Sequence, residues 1–218
     1  MSWIITPEEK TPLDQDYRNV SLLLHGDGAN GSTTIVDNSP TPKTVAAVGN
    51  AQISTAQSKF GGSSIAFDGN GDYLQVTIEA LGVSDYTIEA WLYYAASATK
   101  RVLQVTGNQN NIEQFADGRI RFYDGSITHD TAASTAPSNT WYHFAFSRSG
   151  STGRLFVNGQ QALSFSTSAN VVGGTWWIGG NTNNHWQGYM DDVRLTKGVA
   201  RYTSNFTPPT APFPEVLG

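Results

Sequence analysis

Asp191 and Asp192 stand side by side in "GYMDDVRL", Glu89 sits in "TIEAW", and Asp27 follows His25 in "LHGDG". Such carboxylates could do two kinds of chemistry: acid–base work on a glycosidic bond, or coordination of a hard cation. Glycosidic cleavage by a carboxylate pair needs the two groups roughly 5–10 Å apart across a cleft. On a strand, residues i and i+2 share a face ~6.5–7 Å apart, so an E-x-D-x-x-E run would meet that need. The chain has no such run. Glu89 is alone, and neighbouring Asp191 and Asp192 are expected to point to opposite faces of one strand. Glu113 and Asp117, in "EQFADG", read as a strand end and a turn. There is no G-x-S-x-G elbow for a serine nucleophile. With no cysteine, thiolate nucleophiles, thiolate metal sites and disulfides are all excluded. The chain is expected not to be an enzyme.

Calcium takes several oxygen ligands from loops and turns. Acidic turns occur at Asp27, Asp37, Asp68 and Asp72, besides the Asp191–Asp192 pair. If the first and last strands lie side by side, Asp27 meets Asp191 and Asp192, and a structural Ca²⁺ is expected on those three. The other use of the same aspartates is as turn formers whose carboxylates accept backbone N–H groups, with Arg194 or hydrogen bonds holding the buried member of the pair. The four histidines show no H-x-x-x-H spacing, so zinc is not expected.

Trp186 lies in the amide-rich stretch "NTNNHWQG". Aromatic stacking with amide hydrogen bonds is how a shallow site holds a sugar. The expected ligand contacts are Asn181, Asn183, Asn184, His185 and Trp186, with Asn108 and Asn110 of the similar loop "TGNQNN" beside them. The competing use of Trp186 is to fold back over the edge of the structure. Trp91, Trp141 and one of the adjacent Trp176 and Trp177 alternate within apolar runs and are expected in the core. His143, in "WYHFAF", reads as a satisfied strand histidine.

Those residues must be positioned by short strands. "VSLLL", "YTIEAWLYY", "RVLQVTG", "TWYHFAFSRSG", "GRLFVNGQQALSF", "GTWWIGGN" and "GYMDDVRLT" are each bounded by turn residues and recur at sandwich or barrel spacing. In "YTIEAWLYY", Ile88, Ala90 and Leu92 alternate against Thr87, Glu89 and Trp91. There is no long amphipathic helix. The 218 residues suffice for one sandwich with a sizeable core. Charged residues are only 14% while glycine is plentiful, so the surface is made polar by amides and hydroxyls. The net charge of −5, with no basic run, argues against nucleic-acid binding. No stretch approaches the ~20 apolar residues of a membrane-spanning helix. The N-terminal "MSWIITPEEKTPLDQDY" has no basic region followed by an apolar core, so export by an ordinary signal peptide is not expected.

Three segments in fixed order, "YTIEAWLYY", "WYHFAFSRSGSTGRLFVNGQQ" and "WWIGGN…GYMDDVRL", resemble the laminin G-like, or concanavalin A-like, jelly-roll family. The resemblance implies an all-β fold of two antiparallel sheets packed face to face. Members bind glycans or proteins, often beside a calcium ion, and some relatives are glycanases. "LLLHGDGANGSTTIVDNS", "GNAQISTAQSKFGGSSIAFDGNGDYL" and "LTKGVARYTSNFTPPTAPFP" look like the version found in bacteriophage structural and tail-associated proteins. Residues 1–18, polar with two prolines, read as an N-terminal arm, the jelly-roll domain is expected over 19–203, and 204–218, proline-rich and unable to pair as a central strand, reads as a strap or tail. The expected function is that of a non-enzymatic virion protein, in decoration or attachment, made in the host cytoplasm. Its partners would be other virion proteins or a host surface glycan, with a homo-oligomer allowed. The alternative is a lectin-like adhesin for host glycans, with or without Ca²⁺.

Overall fold

The computed structural model describes residues 13–108, 110–180 and 183–216. Residues 1–12 of the expected arm, Gln109, Asn181, Thr182 and the last two residues lie outside the described residues.

Sixteen strands, numbered in chain order, form two antiparallel sheets among the described residues. The first sheet runs β14 (Gln160–Ser166), β13 (Thr152–Val157), β12 (Trp141–Ser149), β7 (Tyr86–Tyr94), β16 (Gln187–Lys197), β5 (Ser64–Asp68), β4 (Gln52–Ser54), and β1 (Val20–Leu24) also pairs with β16. The second runs β11 (Thr128–Asp130), β10 (Ile120–Tyr123), β9 (Asn111–Gln114), β8 (Lys100–Val105), β15 (Gly174–Ile178), β6 (Tyr73–Ile78), β3 (Val45–Val48), β2 (Thr34–Ile35). This is the all-β, two-sheet jelly-roll sandwich that the family resemblance implied.

Period-two alternation explains which residues face inward. In β7, Ile88, Ala90, Leu92 and Tyr94 enter the core with Phe144 and Phe146 of β12. Phe122 of the second sheet stacks on Phe146 of the first at 4.1 Å between ring centroids, which ties the layers together. The two-residue Asn158–Gly159 turn joins β13 to β14 with φ of 48° and 74°. Both positive values suit a primed hairpin turn, whose twist matches the flanking strands. A Cβ on Gly159 would lie 1.9 Å from the Phe206 carbonyl oxygen, so only glycine lets the C-terminal segment approach there.

That segment lies across the outer face of the first sheet. Phe206 N–H donates to the Gly159 carbonyl (3.0 Å), and Phe213 N–H to Asp192 (2.8 Å). Phe213 is buried with Val20 and Leu23 of β1, in a small satellite core outside the sandwich. Asp14 N–H donates to the Val216 carbonyl (2.8 Å), which joins the two ends of the described chain.

Candidate functional site

The outer face of the first sheet carries the residues of β7, β12 and β16 that alternate away from the core. The strap, the segment 55–62 and the open surface divide this face into three regions.

Under the strap the face is buried and charged. Glu89 of β7 has no exposure and pairs in register with Arg194 of β16, whose Nε and Nη2 donate to Glu89 Oε1 at 2.9 and 2.8 Å. Tyr202 Oη donates to Glu89 Oε2 (2.7 Å), and His143 Nε2 lies 3.3 Å from that oxygen. Asp14 receives Arg201 through both oxygens and Arg194 through one. Burial alone would raise the Glu89 carboxyl, but Arg194 and His143 beside it outweigh burial and hold it at about 2. Glu89 is therefore an ionised, locked structural group.

The middle region holds the paired aspartates. β16 pairs with β1, as the sequence led us to expect, and carries a bulge between Asp191 and Arg194 with Asp192 at φ 48°. The bulge adds one residue, so Met190 and Val193 both enter the core and the expected opposite facing of Asp191 and Asp192 is lost. Asp191 accepts the N–H groups of Lys59 (2.7 Å) and Phe60 (3.1 Å). Asp192 is hydrogen-bonded through one oxygen to His25 Nδ1 and through the other to Phe213 N–H. Burial, first of all, pushes the Asp191 carboxyl up to about 7 against its two N–H donors, and Asp192 and Asp27 add to the rise. Asp27, Asp191 and Asp192 are thus near one another, but both oxygens of Asp192 are already engaged. Among the described residues no three His, Asp or Glu side chains are gathered to hold an ion. The chemistry of the set is that of a clasp joining β1, β16, the 55–62 segment and the strap.

The third region is open. Trp141 of β12, Tyr93 of β7 and Tyr189 of β16 are register partners on adjacent strands, and all three are partly exposed. Tyr93 meets Trp141 and Tyr189 edge to face, with centroids 5.7 Å away in each case. The row continues to Ala66 of β5 and Gln52 of β4. The small Ala66 side chain leaves a trough of about 550 Å³ between Tyr189 and the edge strand, lined also by Asn50, Ser54, Asp68 and Gln187. Asn50 donates to Asp68 (2.9 Å), and this amide holds the Asp68 carboxyl below its usual range. Asp68 is therefore an acceptor at neutral pH. On the other bank, Lys59 Nζ sits 3.9 Å from the centroid of Trp91, whose ring lies beneath Phe60.

This row differs from the site expected at residues 181–187. Trp186 has no exposure: its backbone N–H donates to the Gly179 carbonyl (2.7 Å), and its ring packs 5.3 Å from Tyr94 inside the sandwich. The expected exposed indole is thus a core residue. His185 is half-buried, accepts Gly71 N–H at Nδ1 (2.8 Å) and stacks on Tyr73, so it buttresses the 68–72 turn. Burial, then Lys100, lowers its pKa. Asn183 and Asn184 are exposed, and the Asn184 carbonyl accepts Arg101 N–H (2.7 Å). Asn181 lies outside the described residues. Asn108 ends a 3-10 turn (Thr106–Asn108), while Asn110 is buried and cannot reach a surface ligand. Trp176 is in the core as expected, but Trp91 and Trp141 are on the outer face: Trp91 is covered by Phe60 and Lys59, and Trp141 is partly open. Sequence reasoning missed the aromatic row. Its signal was the parity of "TIEAWLYY", which sets Trp91 and Tyr93 on the face of Thr87 and Glu89.

Residues 68–201 match the family model described as the concanavalin A-like lectin/glucanases superfamily. No match to a curated protein sequence was found. Among solved structures, the chain is similar to domain 4 of an extracellular arabinanase from Geobacillus stearothermophilus, solved with arabinotriose. The TM-score is 0.60 at 18% identity, over 83% of this chain and 93% of that one. It is also similar to the Trypanosoma rangeli sialidase, with a TM-score of 0.57 at 14% identity over 82% of this chain, and it spans 30% of the sialidase. At these identities the likeness is one of fold.

Proposed function

The chain belongs to the concanavalin A-like lectin/glucanases superfamily, and from that premise we propose that it is a non-catalytic carbohydrate-binding module whose site is the Trp141–Tyr93–Tyr189 row and the adjoining trough. The observation that carries this reading is the register of the row: three partly exposed aromatics on neighbouring strands lead into a trough edged by Asn50, Gln52 and Gln187. Aromatic rings offer apolar contact to the C–H face of a sugar, while amides and the Asp68 carboxylate take its hydroxyls. The arabinanase domain solved with arabinotriose is consistent with a glycan ligand. Asp68 is the one acid lining the trough, whereas hydrolysis calls for two facing carboxyl groups, which supports binding without cleavage.

We further place the module in a bacteriophage particle, in attachment to a host surface glycan. The support is the likeness of residues 22–39, 49–74 and 195–214 to phage structural proteins. Mass spectrometry of purified particles of the phage whose genome encodes the chain tests this placement: its presence among the particle proteins is expected, and its absence overturns the placement.

A glycan array run with Ca²⁺ and again with EDTA tests the binding site and the expected calcium together. Trp141→Ala and Tyr189→Ala should each weaken binding about tenfold, ~1.4 kcal/mol, with unchanged melting. Loss of binding in EDTA would put an ion at or under the site. Silence across host-envelope polysaccharides and neutral oligosaccharides would overturn the reading.

A further inference from the structure

Resting on that reading, we infer that the site takes an internal stretch of a linear polysaccharide laid across the strands, and not a terminal sugar. The row runs perpendicular to the strands through five consecutive register partners: Trp141, Tyr93, Tyr189, Ala66 and Gln52. Adjacent strands are ~4.8 Å apart, so the three aromatics span about 10 Å and the full row about 20 Å. That length accommodates several sugar units in line. A terminal sugar calls for a closed pocket that surrounds one ring with polar groups, and the row has no such closure within the sheet. β4 is the last strand of the sheet, and beyond it only the segment 30–32 flanks the row, with Gly31 N–H donating to the Ile53 carbonyl and Ile53 N–H to the Ser32 carbonyl (2.8 Å each).

Ring orientation supports the same occupant. Tyr93 stands at 68° to Trp141 and 81° to Tyr189. Neighbouring rings therefore cannot all present faces in one plane, and the row offers face and edge in alternation. A ribbon-like polysaccharide turns over from one sugar to the next, so its apolar faces recur at every second unit. The banks hold such a chain in line. Lys59 and Phe60, over Trp91, border one side. Asp68 and Gln187 border the other.

Isothermal titration with ladders of cello-, xylo-, manno-, arabino- and chito-oligosaccharides, from monosaccharide to hexasaccharide, tests the inference. The parent polysaccharides are measured alongside. Affinity should rise roughly tenfold from disaccharide to tetrasaccharide in at least one ladder and then level off. Trp141→Ala should flatten the rise of affinity with chain length, and Trp141→Phe should restore part of that rise. Equal affinity at every length in every ladder that binds would overturn the inference and leave glycan binding standing. No binding by any ladder or polymer would overturn both.

Discussion

Arg194 and Glu89 meet across β16 and β7 with two hydrogen bonds to one carboxylate oxygen, and neither side chain is more than marginally exposed. Removing one partner of a buried pair leaves an uncompensated charge, at a cost of about 3–5 kcal/mol. Glu89→Gln should lose stability of that order in urea melts at pH 7. The folded carboxyl is held at about 2 against its ordinary 4.5. Its contribution is therefore present above pH 4.5 and lost as pH falls toward 2. The gap between wild type and variant should close in that window. A gap that stays constant down to pH 2 would remove the ion pair from the account.

Asp191 has the opposite sign. Its folded pKa of about 7 lies above the usual 3.8, so the folded state holds a proton that the unfolded chain has released. Stability should fall as pH rises from about 4 to 7 and then level off. His25, raised by Asp192 against the lowering effect of its burial, contributes with the same sign. The readout is therefore the difference between wild type and Asp191→Asn. The asparagine oxygen still accepts from Lys59 and Phe60, and the variant should melt about 5–10 °C higher at pH 8 and nearly equally at pH 4. Equal melting at both pH values would contradict a raised Asp191.

Trp186→Ala should act on folding and not on recognition. The indole is fully enclosed beside Tyr94, and truncating a buried tryptophan costs about 3–5 kcal/mol. Glycan affinity of the remaining folded protein should be unchanged at low temperature. Selective loss of affinity with normal melting would return the site to the 181–187 loop.

The contrast between Trp186 and Trp141 shows where a sequence is informative. Strand positions and the pairing of first with last strand were legible, because period-two alternation and turn residues are local signals. The role of Trp186 was not, since its amide-rich neighbours describe the surface of the loop while burial of the ring depends on Tyr94, distant in sequence. The aromatic row was half legible. Parity gave the face of Tyr93 and Trp91, but only the register of β12, β7, β16 and β5 shows Trp141, Tyr93 and Tyr189 to be collinear. The bulge at Asp192 broke the alternation that assigned the two aspartates to opposite faces.

Phe213→Ala should loosen the strap. The ring lies under the Arg194 guanidinium at 3.7 Å and is buried against Val20 and Leu23. Loss of about 3 kcal/mol should appear as faster proteolysis between residues 203 and 216, followed by a lower melting temperature as the charged network gains water. Unchanged proteolysis would mean that the Asp192 and Gly159 hydrogen bonds suffice to hold the segment.

The hydrogen bond from Asp14 to Val216 gives the fold a modular property. Its entry and exit lie side by side, so the unit can be spliced into a surface loop of another protein without spreading that loop. Grafted this way it would hang as a pendant head, joined to its host at a single point. Tension on that joint would reach the Asp14–Val216 contact before the Tyr189 row.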